Sequence, residues 1–485
     1  MILEQESVAR PELSYAVQGY VAEGYGIVNM YMSEPLDGPA QVNVLMRRMD
    51  SVIRLTAPAK EVEFDSISGD NPTAEIYERL IREYNGYEPI GIRNDTPVTY
   101  WRTGNPPLRK DRDPSVEESR VPLPHNGIRG DGIFEIPVGP VHAGVIEPGH
   151  FRFSVAGESV IKLNVHLGYT HRGVERLMEG PIVPGKIHIA ERISGDTTVA
   201  NSLAYSHVME DDGSVPERAG YIRVIAAELE RLSSNISAVG GICTDTAFSV
   251  PSARASKLHE DVLRMALKVF GSRYMHNVVV PGGVRKDISS EMSRYIERSL
   301  IALKLDVLDL EDTMMTSSTL MDRMETTGIL QPDIAKTYRT VGPIGRASGM
   351  SLDVRKEMPY DGYRHLGLLV PSEIGGDVLA RTKVRFREIY ESIDLIFQSV
   401  ALMDDGPIRA DAGIPEGFRV GIVEAPRGEL VHCAEIIDGK VWRYSIRDPS
   451  LVDWPMMSYA VPGNVVPDFP LINKSFSLSY SGNDL

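Results

Sequence analysis

Four stretches of the chain repeat apolar residues at alternating three- and four-residue intervals, the spacing that gathers them on one face of an α-helix. Ile222, Ile225, Leu229, Leu232 and Ile236 form the first, and Leu258, Val262, Met265 and Val269 the second, within 255–270. The third begins near Ser290 and carries Met292, Ile296, Leu300, Leu303 and Val307. The fourth begins near Asp377 and carries Phe386, Ile389, Ile393, Ile396 and Val400. Ser214, followed by Pro216 and Glu217, reads as a capping box with proline in the first turn, opening the first of these helices. Four such stripes predict an α-helical bundle as the core.

Outside the bundle the pattern changes. Residues 20–31 and 41–55 carry β-branched and aromatic residues at near period two, and 132–138, 151–165 and 418–444 are further strand-like runs. Residues 74–84 read as a short amphipathic helix with Ile76, Leu80, Ile81 and Tyr84 on one side and Gly86 ending it. Prolines at 106, 107, 114, 122, 124, 137, 140 and 148 interrupt regular structure, with a charged run over 109–113 among them. The first part of that region reads as a connection lying across a surface. Beyond 444 the chain reads as irregular to Leu485. The fold class expected is α+β: a small N-terminal α+β domain over 1–103, a connection over 104–131, and a larger domain over 132–485 with a central helical bundle and peripheral strands.

Composition narrows the function. At 485 residues, two or three domains are expected, and 42% apolar with 24% charged residues is the balance of a globular protein. A net charge of -16 argues against a nucleic-acid partner, since phosphate neutralisation needs a basic face. No run of about eighteen apolar, uncharged residues appears, so no transmembrane span is expected. The start, MILEQESVAR, lacks a basic segment followed by an apolar run, so no export signal and a cytoplasmic location are expected. Cys243 and Cys433 are the only cysteines, too few for a four-thiolate metal centre.

The chemistry concentrates in residues 166–210. His166, His171, His188 and His207, three arginines and several acids crowd an otherwise apolar stretch, which points either to a proton or electron site or to structural ion pairing. His166 and His171, five residues apart, do not share a helix face, so no metal site is expected of them. Four polar, glycine-rich elements lie between the helices: GICTDT (241–246), PGGVRKD (281–287), residues 345–363 and EAPRGEL (424–430). They would bring Arg346, Asp353, Arg355, Asp361 and Arg427 to helix ends, around a shared polar cleft or simply as caps. The glycine-rich nucleotide loops, GxSxG and HExxH are absent.

The run HLGYTHRGVERLMEG, the helix AGYIRVIAAELERLSSNI, the loop PGGVRKD, the segment RASGMSLDVRKEMPYDGY and the run RGEL together resemble the large subunit of membrane-bound, energy-converting nickel–iron hydrogenases. They also resemble its relative in respiratory complex I, the D-type subunit of NADH-quinone oxidoreductase. The resemblance covers roughly 132–485. The N-terminal segment AEIYERLIREYNGYEPIGI is similar to the C-type subunit of complex I, and the fusion of the two is similar to formate-hydrogenlyase large subunits. The resemblance implies an oxidoreductase subunit in a respiratory assembly, with quinone or NAD binding and electron transfer as the associated functions. It implies an iron–sulfur small subunit and antiporter-like and H-type membrane proteins as partners, and a place on the inner face of the cell membrane.

The departures matter as much. The family's first cysteine pair falls in an ERxCGxC context; here ERISGDT puts Ser194 and Thr197 there. The second pair should lie near the C-terminus, where Ser479 and Gly482 are the expected equivalents. Hydroxyls are poor ligands for so soft a centre. The nickel–iron centre is therefore expected to be absent, no cofactor is expected on this chain, and an iron–sulfur cluster belongs to the partner. What the resemblance leaves is a quinone-type cavity. It assigns Tyr205 and His150 to the quinone head group, His142 to the same loop as His150, and Arg172 to the neighbouring cluster. His171 and Arg346 are expected to face a cofactor, Asp245 to couple to the quinone histidine, and Glu175, with Glu179 a turn away, to start a proton path. The alternative is a docking subunit with no chemistry of its own.

Overall fold

The first apolar stripe is the axis of the molecule. It forms a helix (α2, Glu217–Asp245) that follows α1 (Thr198–Met209) and is buried along nearly its whole length. In the computed structural model α2 packs between α3 (Ser249–Phe270) and α5 (Val378–Leu402), and α4 (Ser290–Met315) closes the bundle against both of those. The described residues are 1–485 without 100, 103–104, 113–114, 116–118, 121–126, 143–145, 212 and 414; at 101–102 and 119–120 only the backbone is described. Much of the connection expected over 104–131, including Pro114, Pro122 and Pro124, lies outside them.

The stripes do what their spacing requires. Phe386, Ile389, Ile393 and Ile396 of α5 are all at most 1% exposed, each contributing roughly 1.5–3 kcal/mol of apolar burial. Ser289 and Asp377 cap α4 and α5 by accepting from Met292 N and Ala380 N. The capping box expected at Ser214 does not form. The helix begins at Glu217 with Pro216 as its cap, so Ser214 stands too far upstream to reach the first N–H groups, and its buried hydroxyl has no hydrogen-bond partner.

Among the described residues three sheets of three or more strands accompany the bundle. The N-terminal one runs β1 (Ile2–Ser7), β4 (Ser51–Pro58), β3 (Gln41–Arg48), β2 (Gly26–Ser33), with only the β1–β4 pair parallel. Residues 20–22, read as strand, close a helix (Leu13–Ala22) whose Leu13 and Val17 pack under this sheet. The run 151–165 is a hairpin, β6 (His150–Ala156) and β7 (Ser159–His166), turned at Gly157 in the left-handed region and edged by β5 (Ile133–Val138). The second large sheet is the meander β8 (Gly417–Ala425), β9 (Gly428–Ile437), β10 (Lys440–Arg447). The fold is α+β, as the pattern predicts.

The N-terminal sheet is joined to the meander by buried polar links. Arg47 Nε meets Glu429 at 2.6 Å, Arg54 pairs with Glu435, and Arg443 and Arg447 donate to Met32 O and Val28 O. The segment beyond 444 is not irregular. It forms short helices, Pro449–Asp453, Met457–Ala460, Phe469–Phe476 and Tyr480–Asp484. Each is too short for a readable period and is held by burial of residues such as Trp454, Met456 and Ile472. Among the described residues no helix is long and apolar enough to cross a membrane.

Candidate functional site

Two turns distant in sequence meet beside the N-terminus of α1. One is residues 191–197; the other is 477–485, where the chain leaves helix Phe469–Phe476 through Ser477 in the left-handed region and re-enters a helical turn at Tyr480. Their closest point is Ser194 Oγ to Ser479 Oγ, 2.9 Å, both side chains buried.

The proton assignments follow from one hydrogen per hydroxyl. Ser194 donates to Asp196 Oδ1 (2.8 Å), so Ser479 donates to Ser194, and Ser479 in turn accepts from Gly482 N (2.9 Å). Asp196 is held by Arg427, whose Nη1 and Nη2 lie 3.0 and 2.5 Å from its two oxygens, while Arg427 Nε donates to Ser477 O. Trp454 Nε1 donates to Ser479 O, and Tyr480 packs on the Trp454 ring at 4.8 Å. Thr197 Oγ1 accepts from Asn201. Gly195 and Asp196 are exposed, so this corner opens on the surface.

These residues do not fit a nickel–iron group. Three of the four expected ligand positions carry hydroxyls already committed to one another or to neighbours, and the fourth, Gly482, offers no side chain. A Cβ there would stand 2.6 Å from Asp448 Oδ2, so a side chain at 482 would require the Asp448 carboxylate to shift. Both cysteines lie elsewhere, Cys243 against Met314 Sδ and Cys433 against Asn29, and burial pushes each thiol up to about 12.

The sequence-predicted residues divide. Arg172 is at the site: its guanidinium donates to Arg192 O and Ile193 O (both 2.6 Å) and to Ser481 O (3.2 Å), tying the two turns together. His171 Nδ1 donates to Asp484 O (2.7 Å), and the Asp484 carboxylate accepts from Gly168 N, Thr170 N and Thr170 Oγ1. His142 sits in the neighbouring loop, and His150 opens β6 just after it. His142 Nε2 meets Gly149 O and His150 Nδ1 meets Gly139 O, while the His150 ring stacks on His166, its partner across the β6–β7 ladder. Burial lowers His150, and lowers His166 to about 4.

Tyr205 is not beside those histidines. It lines a separate cavity of about 620 Å³ with Ile182, Ile187, Met209 and Val280, where burial pushes its phenol up to about 12. Glu175 is an anchor: its oxygens accept from Arg443 Nη2 and Ile446 N, and Glu179 pairs with Lys110, Arg176 and Arg443. Arg346 is deep in the bundle, paired with Glu388, Glu424 and Asp353. Asp245 closes α2, and its Oδ2 is buried without a hydrogen-bond partner; burial raises this carboxyl, and Lys474 partly offsets that. Sequence reading missed the Asp196–Arg427 pair. The only signal was a charge of opposite sign in each of the two short motifs, ERISGDT and RGEL.

A family model for the respiratory-chain NADH dehydrogenase 49 Kd subunit matches residues 245–414. The chain is 31% identical over 452 residues to formate hydrogenlyase subunit 5 of Escherichia coli, covering 89% of this chain and 79% of that one. It is 30% identical over 375 residues to NADH-quinone oxidoreductase subunit 4 of Thermus thermophilus, covering 71% and 92%. Against the C/D protein of NADH-quinone oxidoreductase from Phocaeicola vulgatus it is 28% identical over 409 residues, covering 77% and 78%.

Proposed function

The chain belongs to the family of membrane-bound hydrogenase large subunits and their NADH-quinone oxidoreductase counterparts, and from that premise we propose that it is a nickel-free member. In this reading it shapes an electron- and proton-transfer site at the Ser194–Ser479 corner. Relatives with these names are subunits of oxidoreductase assemblies. In this reading an iron–sulfur small subunit docks where Asp196 opens on the surface, the assembly sits on the inner face of the membrane beside antiporter-like and H-type membrane proteins, and quinone is the acceptor. The single observation that carries the proposal is the 2.9 Å contact between Ser194 and Ser479. The turns that would grip a metal come together and are closed by hydroxyls. Purified intact complex is expected to hold nickel at far below one atom per chain by elemental analysis and to turn over no hydrogen. Stoichiometric nickel would overturn the proposal.

The second reading, a docking subunit without chemistry, is favoured by the way Glu175, Arg172 and Arg346 are all engaged in structural contacts. Asp196→Asn separates the two. If the corner carries protons to an acceptor, turnover of the complex falls roughly 10²-fold or more; unchanged turnover, with stability intact, supports docking alone.

A further inference from the structure

One face of α2 breaks the apolar rule of the bundle. Glu230, Ser233, Ser234 and Ser237 follow helical spacing on it and line a cavity of about 130 Å³ against α3, far above the roughly 10–15 Å³ that one water needs. Asp196, Thr198, His259 and Arg273 line the same cavity. Ser237 is exposed and His259 half-buried, so the cavity reaches solvent beside them.

Glu230 is the buried acid of this lining, 5% exposed, accepting from Val199 N (2.5 Å) and Ala200 N (3.0 Å) at the first turn of α1. Thr198 is 1% exposed, and its hydroxyl has no protein partner. A polar cavity with an unpaired buried hydroxyl calls for water. We propose that this cavity is a proton-exchange path between solvent at His259 and the Asp196–Arg427 corner, with Glu230 as its protonatable group. The step moves a proton only: Glu230 takes one from cavity water and returns one toward Asp196, with no change of electrons.

The charges around Glu230 suit that role. Arg231 on its own helix, Asp196 and Arg427 on the two loops, and His259 and Arg273 from the α3 side surround it. Burial, with Asp196 adding to it, pushes the Glu230 carboxyl up to about 8, against the two backbone donors and Arg231. Burial lowers His259, disfavouring its charged form. Glu175, the acid expected to start a proton route, is held by Arg443 and Ile446 instead.

The inference rests on reading the Ser194–Asp196 corner as the reaction site, and the test separates the two. In the purified full chain, an infrared pH titration should show a carboxylic-acid band that disappears around pH 8 and is missing from Glu230→Gln. In the intact complex Glu230→Gln should lower kcat at least about tenfold with KM for the acceptor unchanged. His259→Gln, on the cavity wall, should slow turnover less and be rescued by added imidazole; it serves as the second variant if Glu230→Gln does not fold. Arg427→Ala slowed while Glu230→Gln and His259→Gln match wild type sinks the path alone. If all three match wild type, the reading of the corner falls as well.

Discussion

Arg346→Met is expected to lower the unfolding free energy by about 3–5 kcal/mol, because it leaves buried charge uncompensated. Arg346 is fully buried, with Nε and Nη2 on Glu388 (2.9 and 2.6 Å) and Nη1 on Glu424 (2.9 Å) and on Leu352 O. The network continues through Asp353 to Arg355 and Glu228. Denaturant unfolding of the purified chain gives the measurement, and a loss below about 1 kcal/mol would show that the cluster is not a buried anchor. The loss should also depend on pH. Burial and the neighbouring Asp353 push Glu424 up to about 7 even with Arg346 present. A carboxyl raised in the folded state stabilises fully below its unfolded value near 4.3 and loses that contribution as pH rises through 7. Without the arginine the folded pKa is higher and this loss continues further up in pH, so the variant should be hurt less at pH 5 than at pH 8.

Gly342→Ala is the second large effect, about 2–4 kcal/mol, summing left-handed strain and overpacking. Gly342 has φ +61°, and a Cβ there would stand 1.9 Å from Arg427 O. Gly428 faces it, with its own Cβ line ending 2.7 Å from Gly342 N. This back-to-back pair lets the helix Gly342–Ala347 press on the turn that carries Arg427, so the substitution should also slow turnover by displacing Arg427 from Asp196. Gly185→Ala, with nothing within 4 Å of its Cβ, is the control and should stay within about 0.5 kcal/mol. Equal stability of the two variants would remove the argument.

The bundle was legible because its helices are long. Four stripes of four or five apolar residues leave little ambiguity, and α2, α3, α4 and α5 stand where those stripes put them. The C-terminal segment was illegible for the opposite reason: helices of four to eight residues show no period and owe their form to what they bury. Arg346 shows the same limit for charge. A sequence shows that an arginine lies near a glycine-rich loop; only the fold shows Glu388 and Glu424 closing on it.

By itself the sequence determined the α+β class, the bundle, the family likeness and the lack of thiols at 194, 197, 479 and 482, because helical period and residue identity are local properties. The tertiary structure alone decided that Ser194 meets Ser479, that Tyr205 and His150 stand in different places, and that Glu230 borders a polar cavity. Those are distances between residues tens to hundreds of positions apart, and close packing of the whole chain is what sets them.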